Sequence, residues 1–241
     1  MSKEALEAVN KRLVEHLKEM GIENACYYQP AGEDYWSATK KIAYCNLEPY
    51  SIVNDSDRVY GFRPLDSNRF FLHWYWSKTG RWTVFTNYIL SRSLSEHKTF
   101  SEVDARALRA ELKKEQDGGY ETECECFDDK MYFNFRYTQS SKVSADNGYI
   151  FGKYISDPFY CQHYRDFMKA CEIDVLVVTS KVGAELLTII YPELKDRFFY
   201  CGEPVSVGGM TFVSIPHPSR FGYKKAVDAA NKIAKAMKSV R

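Results

Sequence analysis

The chain has 241 residues, 45% apolar or aromatic and 27% charged, which suits one packed core and excludes a fibrous or disordered chain. Its 33 basic and 32 acidic side chains leave a net charge of +1, so the whole surface does not advertise a polyanion partner. No run of about 18 apolar residues exists and the start lacks an apolar leader, so the expectation is a cytoplasmic, monomeric, single-domain protein with no membrane span.

Residues 3–20 carry Leu6, Val9, Leu13, Leu17 and Met20 on one stripe, with Ser2 placed to cap and Gly21 to stop, and so predict an amphipathic helix within an N-terminal unit of 1–21. Residues 22–40 read as loop. A pattern then recurs four times, in which a short β-rich run leads into a polar loop. Ile42–Cys45 precedes Asn46-Leu47-Glu48-Pro49-Tyr50, and Trp82–Phe85 precedes Thr86-Asn87-Tyr88. Asp174–Val178 precedes Thr179-Ser180-Lys181, and Thr211–Ile215 precedes Pro216-His217-Pro218-Ser219. Helices are expected at 66–77, 101–116, 158–171, 181–191 and 222–239. Strands alternating with helices imply parallel pairing with right-handed crossovers. The expected fold is α/β, a three-layer α/β/α sandwich around a mainly parallel four-stranded sheet. Residues 118–157 begin with Gly118-Gly119, alternate only weakly, and read as an inserted hairpin or loop.

Ligands of such sheets bind beyond the carboxyl ends of the strands, where all four polar loops fall. His217 stands between two prolines, which hold it in an extended turn straight after a strand. Glu48 has the same placement and is followed by Pro49. One carboxylate and one imidazole suit a bond cleavage that separates positive from negative charge. Asn87 offers both a donor and an acceptor to a polar edge. The seven cysteines are odd in number and scattered. Cys124 and Cys126 form the only close pair, and their spacing to Cys161 and Cys171 matches no zinc pattern, so no metal and no cofactor is expected. Charge is segregated: 111–129 is acidic, while Arg220, Lys224, Lys225, Lys232, Lys235, Lys238 and Arg241 make the C-terminal segment basic.

The run Asn46-Leu47-Glu48-Pro49-Tyr50-Ser51 resembles the first motif of the uracil-DNA glycosylase superfamily, Gly-Gln-Asp-Pro-Tyr-His in its best-known branch. His217-Pro218-Ser219-Arg220-Phe221 resembles its second motif, His-Pro-Ser-Pro-Leu. Thr83-Val84-Phe85-Thr86-Asn87 is similar to the strand that ends in a base-reading asparagine, and Val175–Val178 with Val182-Gly183-Ala184 to the third strand and its helix. The resemblance spans about 40–240 apart from 118–157. It implies a protein that hydrolyses the N-glycosidic bond of uracil or a related damaged base flipped out of DNA. Its partner would be lesion-bearing DNA, which places it at a nucleoid or nucleus.

The resemblance implies roles by position. Glu48 would face the sugar cation and His217 the negative charge on the leaving base. Asn46 and Tyr50 would line the base pocket, Asn87 would read the base edge, and Tyr60 or Phe62 could stack on it. Ser219 would grip a phosphate, Phe221 would wedge into the vacated stack, and Arg220, Lys224, Lys225 and Lys181 would meet the backbone. The sequence departs from the family pattern in five places. Asn46 replaces a glycine, Leu47 a glutamine, Glu48 an aspartate, Ser51 a histidine and Arg220 a proline. The competing expectation is a non-catalytic member of the same fold that binds nucleic acid or a protein partner.

Overall fold

The computed structural model describes residues 3–30, 32–46, 60–66, 78–116, 129–138 and 156–239. Its centre is a five-stranded, mostly parallel sheet. The strands are β2 (Ile42–Asn46), β4 (Lys130–Asn134), β5 (Val175–Val178), β6 (Val205–Val207) and β7 (Met210–Ser214), in the order β4-β2-β5-β7-β6. The first four are parallel, and β6 pairs antiparallel with β7 at the far edge, so the sheet has one strand more than the four expected, added by a short hairpin partner of β7. A separate parallel pair, β1 (Ala25–Gln29) and β3 (Phe62–Asp66), leans on the chain just beyond β4, where the Cys26 amide donates to the Tyr137 carbonyl at 2.8 Å.

Burial explains the central strands. In β5 the side chains of Val175 and Val177 enter one core, and those of Leu176 and Val178 the other, so both faces are covered and the run is apolar throughout. On the first face pack α3 (Lys78–Ser95), α4 (Glu102–Gln116) and α7 (Tyr223–Ser239). On the second pack α1 (Lys3–Glu19), α5 (Pro158–Ala170) and α6 (Lys181–Ile190), while α2 (Glu33–Ser37) is a single short turn. Leu6, Val9, Leu13 and Leu17 are the buried stripe of α1, as their spacing requires. Asp157 caps α5 by accepting from the Phe159 amide, with Pro158 in the first turn, and Ser180 caps α6 by accepting from the Gly183 amide. No side chain larger than hydrogen fits at position 183, where a Cβ would stand 2.4 Å from Val178 Cγ2. Glycine therefore lets α6 start hard against the end of β5. Among the described residues no helix is long and apolar enough to cross a membrane.

Three expectations need correction. Trp82–Phe85 is not a strand but the middle of α3. Its β-branched and aromatic residues favour strands locally, yet the apolar pattern runs on through Ile89 and Leu90, and packing against α7 decides the helix. The missing parallel strand is β4, inside the segment read as an insertion. All five of its residues are buried, even Lys130, whose Nζ pairs with Asp129. Residues 22–40 hold β1 and α2 rather than loop alone. The expected helix at 66–77 begins on Asp66, which closes β3, and its remainder lies outside the described residues.

Burial also carries a pH consequence. His163 on α5 is 4% exposed and contacts the Tyr137 hydroxyl at 2.7 Å. Burial first, then the nearby Arg12 and His16, pushes its pKa down to about 3. An unfolded histidine titrates near about 6.5, so below that pH the unfolded chain takes up a proton that the folded one refuses. This group's contribution is therefore complete above about 6.5 and is lost as pH falls towards 3. Urea unfolding should show roughly 2 kcal/mol less stability at pH 5 than at pH 7 from this source. The His163→Gln protein should show a flatter profile, and an unchanged pH slope in it would place the proton uptake elsewhere.

Candidate functional site

The parallel strands, taken in sheet order, are second, first, third and fourth in the chain. The chain thus reverses its direction of travel between β2 and β5, and a crevice opens beyond the carboxyl ends of that pair. Asn46 closes β2 and Thr179 follows β5. The Thr179 hydroxyl donates to Asn46 Oδ1 at 2.6 Å across this crevice, with both residues buried. The switch point is therefore polar, whereas the strands below it are apolar.

Two further groups stand on the same edge. Asn134 closes β4 and is the register partner of Asn46. It is 1% exposed. Its Nδ2 donates to the Tyr28 hydroxyl at 3.0 Å, and its Oδ1 is buried with no hydrogen-bond partner among the described residues. At the end of β7, Ser214 passes into Ile215 and Pro216 and then the turn of His217. The Lys232 ammonium on α7 donates to the Ser214 carbonyl at 2.8 Å, and burial holds its pKa below the usual lysine range.

His217 is extended (φ −61°, ψ 131°) and starts a short 3-10 turn, Pro218–Arg220, whose Arg220 amide returns to the His217 carbonyl at 2.9 Å. Its Nδ1 lies 2.7 Å from Ser219 Oγ and accepts from the Ser219 amide at 3.3 Å. A backbone N–H can only donate, so Nδ1 is the unprotonated nitrogen and the ring proton resides on Nε2. Burial first, then the Arg220 guanidinium, lowers the pKa. The ring is thus a neutral imidazole offering Nε2–H as a fixed donor, which is what stabilisation of a developing oxyanion requires.

Asn134 is the residue of this edge that sequence reasoning missed. A signal was present, since Met131-Tyr132-Phe133-Asn134 is a short aromatic run ending in a polar residue, as the other strands are. Asn87, predicted to read a base, is fully buried in α3 instead. Its Nδ2 donates to the Thr83 carbonyl at 3.0 Å and its Oδ1 accepts from the Tyr44 hydroxyl at 2.7 Å, so both ends of the amide are spent inside the core. Phe221, predicted as a wedge, is 5% exposed and belongs to the core under α7. Phe62 packs at the margin of the other core with Lys18 Nζ 5.5 Å above its ring, and Tyr60 is exposed.

Arg220, Lys224 and Lys225 are exposed beside the His217 turn. Lys225 Nζ lies 3.3 Å from the Arg220 carbonyl. Lys181 is exposed at the start of α6 and pairs with Glu185 at 3.8 Å. Ser219 is half-buried, tied to His217. Glu48 and Tyr50 lie outside the described residues, as do Leu47, Ser51, Cys124 and Cys126. Among the described residues no three histidine, cysteine or acidic side chains converge on a point that could hold a metal.

One edge of the sheet thus carries a buried amide acceptor, a second asparagine, and a neutral histidine donor held by its own turn. Such a set can bind a planar polar group and stabilise negative charge on it. No family model matches the chain, and no curated protein matches its sequence.

Proposed function

We propose that the protein is a DNA glycosylase-like hydrolase that cleaves the N-glycosidic bond of uracil or a related damaged base flipped out of DNA. The observation that carries this reading is that Asn46, Asn134 and the His217 turn each follow a parallel strand of one sheet and so stand at its carboxyl edge. Asn134 takes the base-reading role expected of Asn87. In the reaction the bond between C1′ and the base nitrogen breaks and its electron pair leaves with the base. The Nε2–H of His217 stabilises the negative charge that gathers on the base oxygen, Glu48 answers the positive charge on the sugar, and water adds at C1′ with loss of a proton. Lys224 and Lys225 follow the His217 turn on the first turn of α7 and meet phosphates, as do Arg220 and Ser219, with Lys181 at the start of α6.

A second reading draws support from Asn46. In the family motif that position is a glycine, whose backbone approaches the base. Here a side chain fills the space and is hydrogen-bonded to Thr179. A non-catalytic protein of this fold that binds nucleic acid or a protein partner would tolerate this. A panel of oligonucleotides with one lesion each, incubated with excess protein and then cleaved in alkali, separates the two. Strand breaks at uracil or a related base are expected. Intact strands for every lesion would sink the glycosylase reading and leave the binding one.

A further inference from the structure

We propose that Lys232 is the nucleophile of a second reaction, in which its amine forms a Schiff base with the C1′ aldehyde of an abasic sugar in DNA and the 3′ phosphate is expelled. The substrate is the product of the base release proposed above, so its identity rests on that reading. The placement of the amine does not.

The amine lines a cavity of about 500 Å³ at the carboxyl end of β7. Ser214-Ile215-Pro216, the chain that enters the His217 turn, forms one wall. The other is α7, with Asp228 and Lys232 one helical turn apart on the same face. Such a volume holds a sugar phosphate. Two exposed lysines of the same helix, Lys225 and Lys235, also line it and suit a ligand that carries phosphates. Lys225 Nζ lies 3.3 Å from the Arg220 carbonyl rather than from a carboxylate.

Lys232 differs from these two. It is half-buried, and its Nζ donates to the Ser214 carbonyl at 2.8 Å, which fixes the amine at the last residue of β7. That bond is to a neutral group and does little to hold a positive charge. The acidic neighbour Glu203 is already paired with Lys235 at 3.0 Å. Burial lowers the pKa of Lys232 most; Cys201 and Glu203 act against this and Lys235 with it. An amine attacks through its lone pair, so a group that sheds its proton readily is the one suited to a carbonyl.

The reaction balances without a co-reactant other than water. The ring of the abasic sugar opens to an aldehyde, and the Lys232 nitrogen adds to C1′. The carbonyl oxygen leaves as water and a protonated imine forms. Asp228, in the same cavity, accepts a proton from C2′. The electron pair forms the double bond between C2′ and C3′ as the C3′–O bond breaks, and the phosphate leaves with the electrons of that bond. Water then splits the imine, which frees Lys232 and the unsaturated aldehyde. Nothing is oxidised or reduced.

The test uses the full chain and an oligonucleotide that already carries an abasic site, so no base has to be released. With sodium borohydride, which reduces an imine to a stable amine, the native protein should become covalently joined to the DNA. Mass mapping of the peptides should place the link on Lys232. Without borohydride the strand should break on the 3′ side of the abasic site. Lys232→Arg keeps the charge and a donor for Ser214 but has no nucleophilic amine, and should lose both the link and the break. If that variant does not fold, the mapped link in the native protein decides. No link, a link at Lys224 or Lys225 instead, or a folded Lys232→Arg protein that links as the native one does overturns the proposal. A link to an oligonucleotide with tetrahydrofuran in place of the sugar overturns it too, since that ring has no aldehyde. Linkage at Lys232 with uracil DNA left intact would sink the base-release reading alone, and base release without linkage would sink this one alone.

Discussion

Under enzyme excess, a uracil oligonucleotide should be cleaved about 10²–10³ times more slowly by the His217→Ala protein than by the native one, the usual effect of removing one oxyanion donor. The expectation follows from where the imidazole proton is. The Ser219 amide occupies Nδ1, so the proton is on Nε2, and the turn between Pro216 and Pro218 holds the ring without help from a ligand. A donor fixed in advance gains most when the base becomes an anion, so the loss falls on the chemical step. On the proposed reading DNA affinity should change little, because phosphate contacts by exposed cations such as Lys224 and Lys225 would supply most of it. Acid should act by a separate route. Protonating Nδ1 costs its bond from the Ser219 amide, and burial already lowers the pKa. The native rate should therefore hold as pH falls to histidine's ordinary value near about 6.5, and decline only below it. A His217→Ala protein that keeps the native rate would exclude this chemistry.

Phe221→Ala should lower unfolding stability by about 3–5 kcal/mol while leaving the DNA affinity of the folded fraction unchanged. The side chain follows the His217 turn directly, and sequence position alone makes it a candidate wedge for DNA. Its 5% exposure makes it core instead, packed on the face covered by α3, α4 and α7. Truncation leaves a cavity that the surrounding helices fill only in part. For a chain of this length the melting temperature should fall by roughly 6–20 °C. Urea unfolding curves give the energy, and a salt-controlled titration below the melting range gives the affinity. A stable Phe221→Ala protein with weakened DNA binding would restore the wedge.

The two residues share a loop, and they show which kind of information each kind of residue carries. The extended conformation of His217 follows from Pro218, because proline pushes the residue before it out of the helical region. That restriction is local and can be read from neighbouring letters. The burial of Phe221 depends on α7 folding back over β7, and nothing within a few residues encodes it. The same contrast separates Asn87 from Asn134. Both follow short aromatic runs, and local propensity favours a strand in either case. Trp82–Phe85 became helix because its apolar pattern continues to Leu90 and packs on α7, and Met131–Asn134 became strand because β2 offered a free edge.

By itself the sequence determined α1, β2, β5, β7 and the helices near 102–116, 158–170, 181–190 and 223–239, because each carries a periodic apolar pattern or a cap that its neighbours do not contradict. It also placed the polar segments after β5 and β7 at the carboxyl edge of parallel strands, while the polar segment Thr86-Asn87-Tyr88 proved to be helix. Only the tertiary structure decided which asparagine stands at that edge, which aromatic is core, and that Tyr28, more than 100 residues from Asn134, holds its amide. These are matters of pairing between distant segments. A strand's partner and a buried group's hydrogen bonds are settled by what else competes for the same edge and the same proton.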